Sequence, residues 1–194
     1  MRNDNSKKEP LLEPLLYELR VRKVIGHIPR GGRVCDICCD ANGRFLRRLG
    51  KRIKEGIGLD KHVEPLIDGK ISLRRVELDR TIDLESEFFD CATLLAAIEH
   101  LAYPAEIIKE AFRILKPGGV LLITTPSPAA KKVLEFLAFK LGIVSSEGVR
   151  EHKRYYDKKS LKELCLRAGF SDNNIVAENF EFGYNIFLKA VKDK

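Results

Sequence analysis

Apolar residues in this chain follow two different spacings. Short runs rich in Val, Ile and Leu are typical of strands buried inside a parallel sheet. These runs predict strands at 33–38, 56–60, 73–78, 88–95, 120–125, 175–180 and 184–191. Apolar residues three and four positions apart, together with Pro, Asp and Gly at segment ends, are typical of helices. They predict helices at 10–26, 44–49, 104–115, 129–141 and 157–168.

The order of these elements predicts the fold class. Strands and helices alternate through most of the chain, and two strands close it. Such alternation favours a parallel sheet covered by helices on both faces. We therefore predict a three-layer αβα fold: a doubly wound sheet of seven mostly parallel strands with a C-terminal antiparallel hairpin. The 194 residues fit one domain, 1–194, in which we expect residues 1–9 to be disordered.

Charge and cysteine content narrow the functional classes. The net charge of +7 comes from basic residues spread along the chain, as on a solvated surface. Since no zinc finger, helix-turn-helix or RNP signature accompanies them, we do not expect a nucleic-acid partner. The polar start of the chain lacks the apolar core of a secretory signal, so we expect a cytoplasmic protein. Three of the five cysteines, Cys35, Cys38 and Cys39, lie in one apolar segment and are interpreted as inert thiols.

Two acids lie near the carboxyl ends of the first two predicted strands. Asp36 precedes a loop that leads into a helix, and Asp60 ends the second strand. In doubly wound sheets, ligands bind at the carboxyl ends of the strands, where an acid can accept hydrogen bonds from ribose hydroxyls. These positions predict a nucleoside-like ligand, although any open α/β sheet offers loops and acids there.

Several segments together resemble the class I S-adenosylmethionine-dependent methyltransferases, in particular the group called type 11. That family's first loop has an acid and an apolar residue before Gly-Cys-Gly. Asp36, Ile37 and Cys39 match it, while Cys38 and Asp40 replace the two glycines. Further matching segments lie at 89–93, 98–101, 115–126 and 151–156. The resemblance implies a Rossmann-like methyltransferase fold from about residue 33 to residue 191.

The resemblance also implies a cofactor site for S-adenosylmethionine, with S-adenosylhomocysteine as product. The first loop would pass under the methionine part, and the second-strand acid would bind the ribose beside the adenine edge. The residues after the third strand would contact the adenine amino group, and those after the fourth would line the sulfonium side. We therefore expect cofactor contacts from Asp36, Cys38, Asp40, Asp60, Lys61, Asp79, Arg80, Leu95 and Ala96.

The candidate catalytic residues follow the fourth and fifth predicted strands. His100 and His152 are candidate bases, and Tyr155 is a candidate substrate contact. The competing interpretation gives both histidines only packing or surface roles. Some quinone O-methyltransferases carry a metal-binding acid three residues before a Glu-His pair. Because Ala96 occupies that position here, we expect no metal.

The two replaced glycines leave alternative functions open. Glycine lets the backbone take positive φ and approach a ligand closely. Asp40 would place a charge near the carboxylate of S-adenosylmethionine, unless it points outward or meets the ammonium or sulfonium group. The chain is then either an active methyltransferase with a variant loop or a protein of the same fold acting as a binding or regulatory partner. A nicotinamide-dependent enzyme is a third hypothesis, but the G-x-G-x-x-G loop is missing.

The helix at 129–141 is unusually apolar. It falls in the segment 127–156, which by resemblance would form an insertion covering the substrate. The small size of the chain favours a small-molecule acceptor, and this helix suggests an apolar one. The same face could instead pack on the core, form a homodimer contact or rest on a membrane through Lys131, Lys132 and Lys140. Both a monomer and a homodimer remain open.

Overall fold

The computed structural model describes residues 10–194. Eight strands form one sheet: β1 (Arg33–Ile37), β2 (Glu55–Asp60), β3 (Leu66–Asp68), β4 (Ile71–Arg75), β5 (Phe89–Leu95), β6 (Leu115–Pro126), β7 (Ile175–Phe180) and β8 (Asn185–Val191). Six α-helices accompany it: α1 (Glu13–Ile25), α2 (Arg44–Leu49), α3 (Pro104–Ile114), α4 (Ala130–Phe139), α5 (Ser146–Arg150) and α6 (Lys158–Ala168). Residues 1–9, for which disorder was predicted, lie outside the described part.

The strand order β3-β4-β2-β1-β5-β6-β8-β7 makes the sheet doubly wound. The pairs among β4, β2, β1, β5 and β6 are parallel, whereas β8 runs antiparallel to β6 and β7 antiparallel to β8. The order changes direction on either side of β1, so the carboxyl ends of β1, β2 and β5 open into one crevice. This crevice is where doubly wound sheets bind ligands.

The predicted α/β class, with mostly parallel strands and a C-terminal antiparallel hairpin, is confirmed. The count of seven strands is corrected by one, because β3 adds a short antiparallel edge strand beside β4. Its three residues are all exposed, with Ile67 81% accessible. A strand this short and exposed has no buried face, so no alternating pattern could predict it.

Helices α3 and α6 pack on the sheet through the faces that the sequence predicted, whereas α1 buries Val21 and Val24 and leaves Leu15 of its predicted face exposed. In α3, Ile107, Ile108, Ala111 and Ile114 are buried. Two large clusters of buried apolar residues cover opposite faces of the sheet, which gives the three-layer arrangement. At 25 cal/mol per Å², burying one such side chain stabilises the fold by about 2 kcal/mol.

The segment 127–156 forms α4 and the short helix α5, which the sequence analysis missed. The Ser145 hydroxyl accepts a hydrogen bond from the Gly148 amide (3.0 Å) and begins α5. A small third cluster joins this segment to α1, where Leu12 and Leu16 pack near Leu134 and Leu137. Within residues 10–194, none of the helices combines the length and apolar content that a membrane crossing requires.

Candidate functional site

A cleft of about 840 Å³ opens at the carboxyl ends of β1, β2 and β5. Its walls come from those strand ends, from the loops that follow them and from α1. Of the nine predicted cofactor contacts, eight line the cleft: Asp36, Cys38, Asp40, Asp60, Lys61, Asp79, Leu95 and Ala96. The crevice expected from the strand order therefore contains nearly the whole predicted set.

Arg80 is the exception among the predicted cofactor contacts. Its guanidinium lies 3.8 Å from the centre of the Tyr103 ring and 3.6 Å from a Glu106 carboxylate oxygen. Both contacts hold the side chain outside the cleft wall, at the start of α3. The cation–π contact and the ion pair explain this position.

The first loop keeps a glycine-like path without glycines. Cys38 has φ 61° and Asp40 has φ 64°, both in the left-handed region. The amides of Cys38 and Cys39 both donate to the carbonyl of Leu59 (2.8 and 3.1 Å), which fixes the loop against β2. The Cys39 side chain also packs closely against β2 at Gly58. Any larger residue at position 58 would place its Cβ 2.6 Å from the Cys39 sulfur, which is too close.

The Asp40 carboxylate is engaged by its own loop. It accepts a hydrogen bond from the Asn42 amide (2.7 Å) and lies 3.9 Å from the Arg44 guanidinium. Burial raises the pKa of Asp40, and the Asn42 amide and Arg44 act in the opposite direction. The amide and the cation stabilise a charge that the sequence alone leaves unbalanced.

Asp36 is a buried acid at the end of β1. Only 2% of its surface is exposed, and it accepts a hydrogen bond of 2.5 Å from the Thr93 hydroxyl. Burial raises the pKa of Asp36 to about 7, and the nearby charges of Asp40 and Asp60 add to the rise. A positively charged ligand group in the cleft would favour the ionised form.

Asp60 ends β2 and accepts a hydrogen bond from the His62 amide (2.8 Å). This turn holds the carboxylate at the cleft wall. On the other side, the amide of Ala96 donates to the carbonyl of Thr124 (2.8 Å), and Ala96 itself has φ 50°. These bonds set the positions of the cleft walls at the ends of β2 and β5.

A second cavity of about 580 Å³ adjoins the cleft. The two cavities share Arg20, Ala96 and His100. Apolar side chains form much of the second wall: Leu16, Leu19, Val133, Leu134, Leu137, Val144 and Val149. An apolar ligand group could therefore lie directly beside a ligand in the cleft.

The two predicted catalytic histidines come together between β5 and α5. The His100 and His152 rings are 4.8 Å apart, and His152 Nδ1 lies 3.0 Å from the Tyr155 hydroxyl. Tyr155 supports His152 and is not part of either cavity wall. Burial, followed by the neighbouring His100, lowers the pKa of His152 to about 4. His152 is therefore neutral near neutral pH.

Glu99 is a buried acid that the sequence analysis did not propose as a site residue. It is 1% exposed, and its Oε2 accepts a hydrogen bond from the Thr125 hydroxyl (3.0 Å). Its Oε1 is buried and, within residues 10–194, has no hydrogen-bond partner. Ligand-type atoms of Glu99, His100 and His152 lie within 4.8 Å of one another, a spacing that could also hold a metal ion. The sequence could not show that these three side chains meet, because His152 is far from Glu99 and His100 along the chain.

Helix α1 supplies further wall residues that were missed, among them Tyr17 and Arg20. The Tyr17 hydroxyl is buried and lacks a hydrogen-bond partner in the described part of the chain. The Arg44 guanidinium stacks 4.3 Å from the centre of its ring. Their spacing of three residues on one helix was the available signal, but the helix was interpreted only through its leucines.

Comparison with known proteins assigns the family. A family model described as a methyltransferase domain matches residues 13–174. The chain belongs to this methyltransferase family. The resemblance to class I methyltransferases is thereby confirmed, and the nicotinamide-dependent alternative finds no support.

Curated relatives are identical to the chain at about a quarter of the aligned positions. A ubiquinone biosynthesis O-methyltransferase of Nitrosococcus oceani is 24% identical over 84% of this chain and 73% of its own length. A ubiquinone/menaquinone biosynthesis C-methyltransferase of Neisseria gonorrhoeae is 26% identical over 86% and 77%. The chain spans about half the length of the mitochondrial relatives, for example 49% of the human O-methyltransferase.

Solved structures support the fold. A S-adenosylmethionine-dependent methyltransferase of Archaeoglobus fulgidus has a TM-score of 0.68 and 18% identity, over 92% of this chain and 94% of its own. An N-methyltransferase of Haemonchus contortus, solved with S-adenosylhomocysteine, has a TM-score of 0.61 and 17% identity over 98% and 55%. At these identities the likeness concerns the fold.

Proposed function

We propose that this enzyme transfers a methyl group from S-adenosylmethionine to a small-molecule acceptor with an apolar body, leaving S-adenosylhomocysteine. The observation that carries the proposal is the contact between the two cavities along Arg20, Ala96 and His100. A donor in the cleft and an acceptor in the apolar cavity would meet at this boundary. Catalysis by positioning requires such a junction.

The cleft residues fit the proposed cofactor. Asp60, at the end of β2, would accept hydrogen bonds from the ribose hydroxyls. The unpartnered Tyr17 hydroxyl and the buried Asp36 face the part of the cleft next to the first loop. The Tyr17 hydroxyl would donate a hydrogen bond to the amino-acid end of S-adenosylmethionine, and Asp36 would place an acidic group beside it. When bound, S-adenosylmethionine supplies an activated methyl group on a sulfonium sulfur.

The histidines act on the acceptor side in this proposal. His100 lies at the boundary, and His152 lines the apolar cavity with its ring oriented by Tyr155. With a pKa of about 4, His152 is a weak base and serves mainly as a neutral hydrogen-bonding group. An acceptor hydroxyl or amine loses one proton during methylation, to a basic group or to water. The main contribution of the chain is then orientation and exclusion of water.

The first loop supports an active enzyme over a binding-only protein of the same fold. Cys38 and Asp40 adopt the left-handed backbone that glycine would give. Asp40 interacts with the Asn42 amide and Arg44, which reduces repulsion toward a cofactor carboxylate. Absence of cofactor binding would instead favour the regulatory role.

The segment 127–156 is proposed to cover the acceptor. Helices α4 and α5 form one side of the apolar cavity. The names of the relatives, which concern ubiquinone biosynthesis, also favour a small apolar acceptor. A cytoplasmic location, as monomer or homodimer, remains part of the proposal.

We further propose transient contact between α4 and an anionic membrane surface. Phe136 and Phe139 are exposed and lie outside the wall of the apolar cavity, and Lys132 and Lys140 lie on the same helix or at its end. Aromatic side chains interleaved with lysines are typical of helices at a membrane interface. Flotation with anionic vesicles tests this. Protein that stays entirely in the soluble fraction, or that dimerises through α4, would contradict it.

The cofactor site is tested with a variant and its matched control. Asp60→Ala should weaken S-adenosylhomocysteine binding by about tenfold or more, because it removes a charged hydrogen-bond acceptor. Asp83→Ala changes an exposed acid outside the cleft and should leave the affinity unchanged. Calorimetry gives both affinities, and circular dichroism confirms folding. Equal affinity for Asp60→Ala and the wild type would contradict the assignment.

A further inference from the structure

The turn between β7 and β8 holds an acid in a rare backbone conformation. Glu181, Phe182 and Gly183 have φ values of 51°, 57° and 90°, so two non-glycine residues are left-handed in succession. Such strain persists only where the surroundings enforce it, and it concentrates at functional sites. Phe182 is fully exposed, so burial of an apolar side chain does not explain the conformation.

Hydrogen bonds anchor this turn to the end of β6. The Ser127 amide donates to the Tyr184 carbonyl (2.8 Å), and the Ser127 hydroxyl donates to the Gly183 carbonyl (2.7 Å). The side-chain nitrogen of Asn185, Nδ2, donates to Glu181 Oε2 (2.5 Å). Together these bonds fix the Glu181 carboxylate in the wall of the apolar cavity.

The remaining oxygen of Glu181 is buried without a partner. Glu181 Oε1 has no hydrogen-bond partner among residues 10–194, and the same is true of Glu99 Oε1. Both residues line the apolar cavity. A buried carboxylate oxygen without a donor is costly, so two in the wall of one largely apolar cavity point to donors on a ligand.

We infer that this cavity recognises its acceptor through a head group that donates hydrogen bonds, received by Glu99 and Glu181. The inference rests on the proposed function and specifies its substrate class: an apolar body carrying a hydroxyl or an amine. A primary amine could donate to both acids, whereas a hydroxyl has one hydrogen and could donate to one of them. Glu99 lies next to His100 at the boundary with the cleft, so the head group would face the methyl donor. Burial raises the pKa of both acids, and Arg20, which lines both cavities, acts in the opposite direction and favours their ionised forms.

The assignment also predicts discrimination between acceptor and product. Methylation replaces a donor hydrogen with a methyl group, and a capped oxygen can no longer donate. The methylated product would therefore leave a carboxylate oxygen unpaired again. Weaker product binding follows from the same contact that recognises the acceptor.

Three probes with one apolar body test this: para-hexylphenol, para-hexylaniline and para-hexylanisole. The first two donate hydrogen bonds, and the third is the methyl-capped phenol. We expect calorimetry to show phenol and aniline binding about tenfold or more tightly than anisole, the effect of a hydrogen bond to a charged group. Equal affinity for all three, or no binding of any probe, would overturn the inference.

The variant Glu181→Gln keeps the size of the side chain and removes its charge. In this variant, the ratio of the phenol and aniline affinities to the anisole affinity should fall by about tenfold. The control Glu178→Gln changes an exposed acid of the same hairpin, which pairs with Lys23, and should preserve the full discrimination. Unchanged discrimination in Glu181→Gln would overturn the role of Glu181. Discrimination that disappears when EDTA removes metal ions would also overturn it, because the acids would then act through a metal.

Each titration is performed with and without S-adenosylhomocysteine. Probe discrimination without any S-adenosylhomocysteine binding would contradict the proposed function and retain the head-group inference. Tight S-adenosylhomocysteine binding without discrimination would contradict the inference alone. The two failures are therefore distinguishable.

Discussion

Asp36 is predicted to make the stability of this protein pH-dependent. In the folded chain burial raises its pKa to about 7, compared with about 3.9 for an ordinary Asp. Between these values the folded state keeps a proton that the unfolded state releases. The contribution of Asp36 to the free energy of unfolding is therefore largest below about pH 4, falls as pH rises, and levels off above about pH 7.

The size of the effect follows from the pKa difference. About three units at about 1.4 kcal/mol each give about 4 kcal/mol, as an order of magnitude. Asp36→Asn keeps an acceptor for the Thr93 hydroxyl and removes the titration. The variant should gain stability relative to the wild type as pH rises from about 4 to about 7. Urea unfolding followed by circular dichroism across this range measures the difference.

Asp90 provides a control whose contribution to stability should depend on pH in the opposite direction. Burial acts to raise the pKa of Asp90, but the Arg33 amide and the Lys116 ammonium (2.8 and 2.6 Å) outweigh it and lower the pKa. Its stabilising contribution is therefore present above the ordinary pKa and is lost as pH falls. Asp90→Asn should lose stability relative to the wild type near neutral pH and little in acid. Stability profiles of Asp36→Asn and the wild type that run parallel would refute the reasoning.

Three further changes have defined outcomes. Asp40→Gly relieves a left-handed conformation but also removes the carboxylate that accepts a hydrogen bond from the Asn42 amide. Because each effect is about 1 kcal/mol, the free energy of unfolding in urea titrations should stay within about 1 kcal/mol of the wild type; a loss of more than about 2 kcal/mol would contradict the strain. Tyr17→Phe removes a hydroxyl without an intramolecular partner, so S-adenosylhomocysteine affinity should fall while the melting temperature stays constant. Ile108→Ala in the fully buried face of α3 should cost about 2–5 kcal/mol of stability, and a cost under about 1 kcal/mol would contradict its packing.

The parts of the fold that sequence predicted are those with a strong periodic pattern. Helix α3 has an apolar face and was predicted to within one residue. The apolar run from Val120 predicted the second half of β6, but the strand begins at Leu115, in a polar and glycine-containing segment that was interpreted as the end of the helix. The edge strand β3 has no buried face, and α5 is only five residues long. Neither carries enough periodicity to be distinguished from a loop.

The same distinction applies to the site. Asp60 and Leu95 were predictable because strand ends of a doubly wound sheet converge at one crevice. Arg80 was predicted by its position after a strand, but the Tyr103 ring and Glu106 hold it outside the cleft. Glu181 comes from a turn, and its orientation depends on the anchoring by Ser127. Such long-range contacts leave no local pattern in the sequence.

The central claim is that the cleft binds S-adenosylmethionine and its product. Calorimetric titration of the wild-type chain with S-adenosylhomocysteine near neutral pH, beside NAD as a control, tests it most directly. We predict saturable one-to-one binding with micromolar affinity for S-adenosylhomocysteine and no binding of NAD. An absence of S-adenosylhomocysteine binding up to millimolar concentration would contradict the account, and would indicate that the Cys38 and Asp40 loop has closed the site to the cofactor.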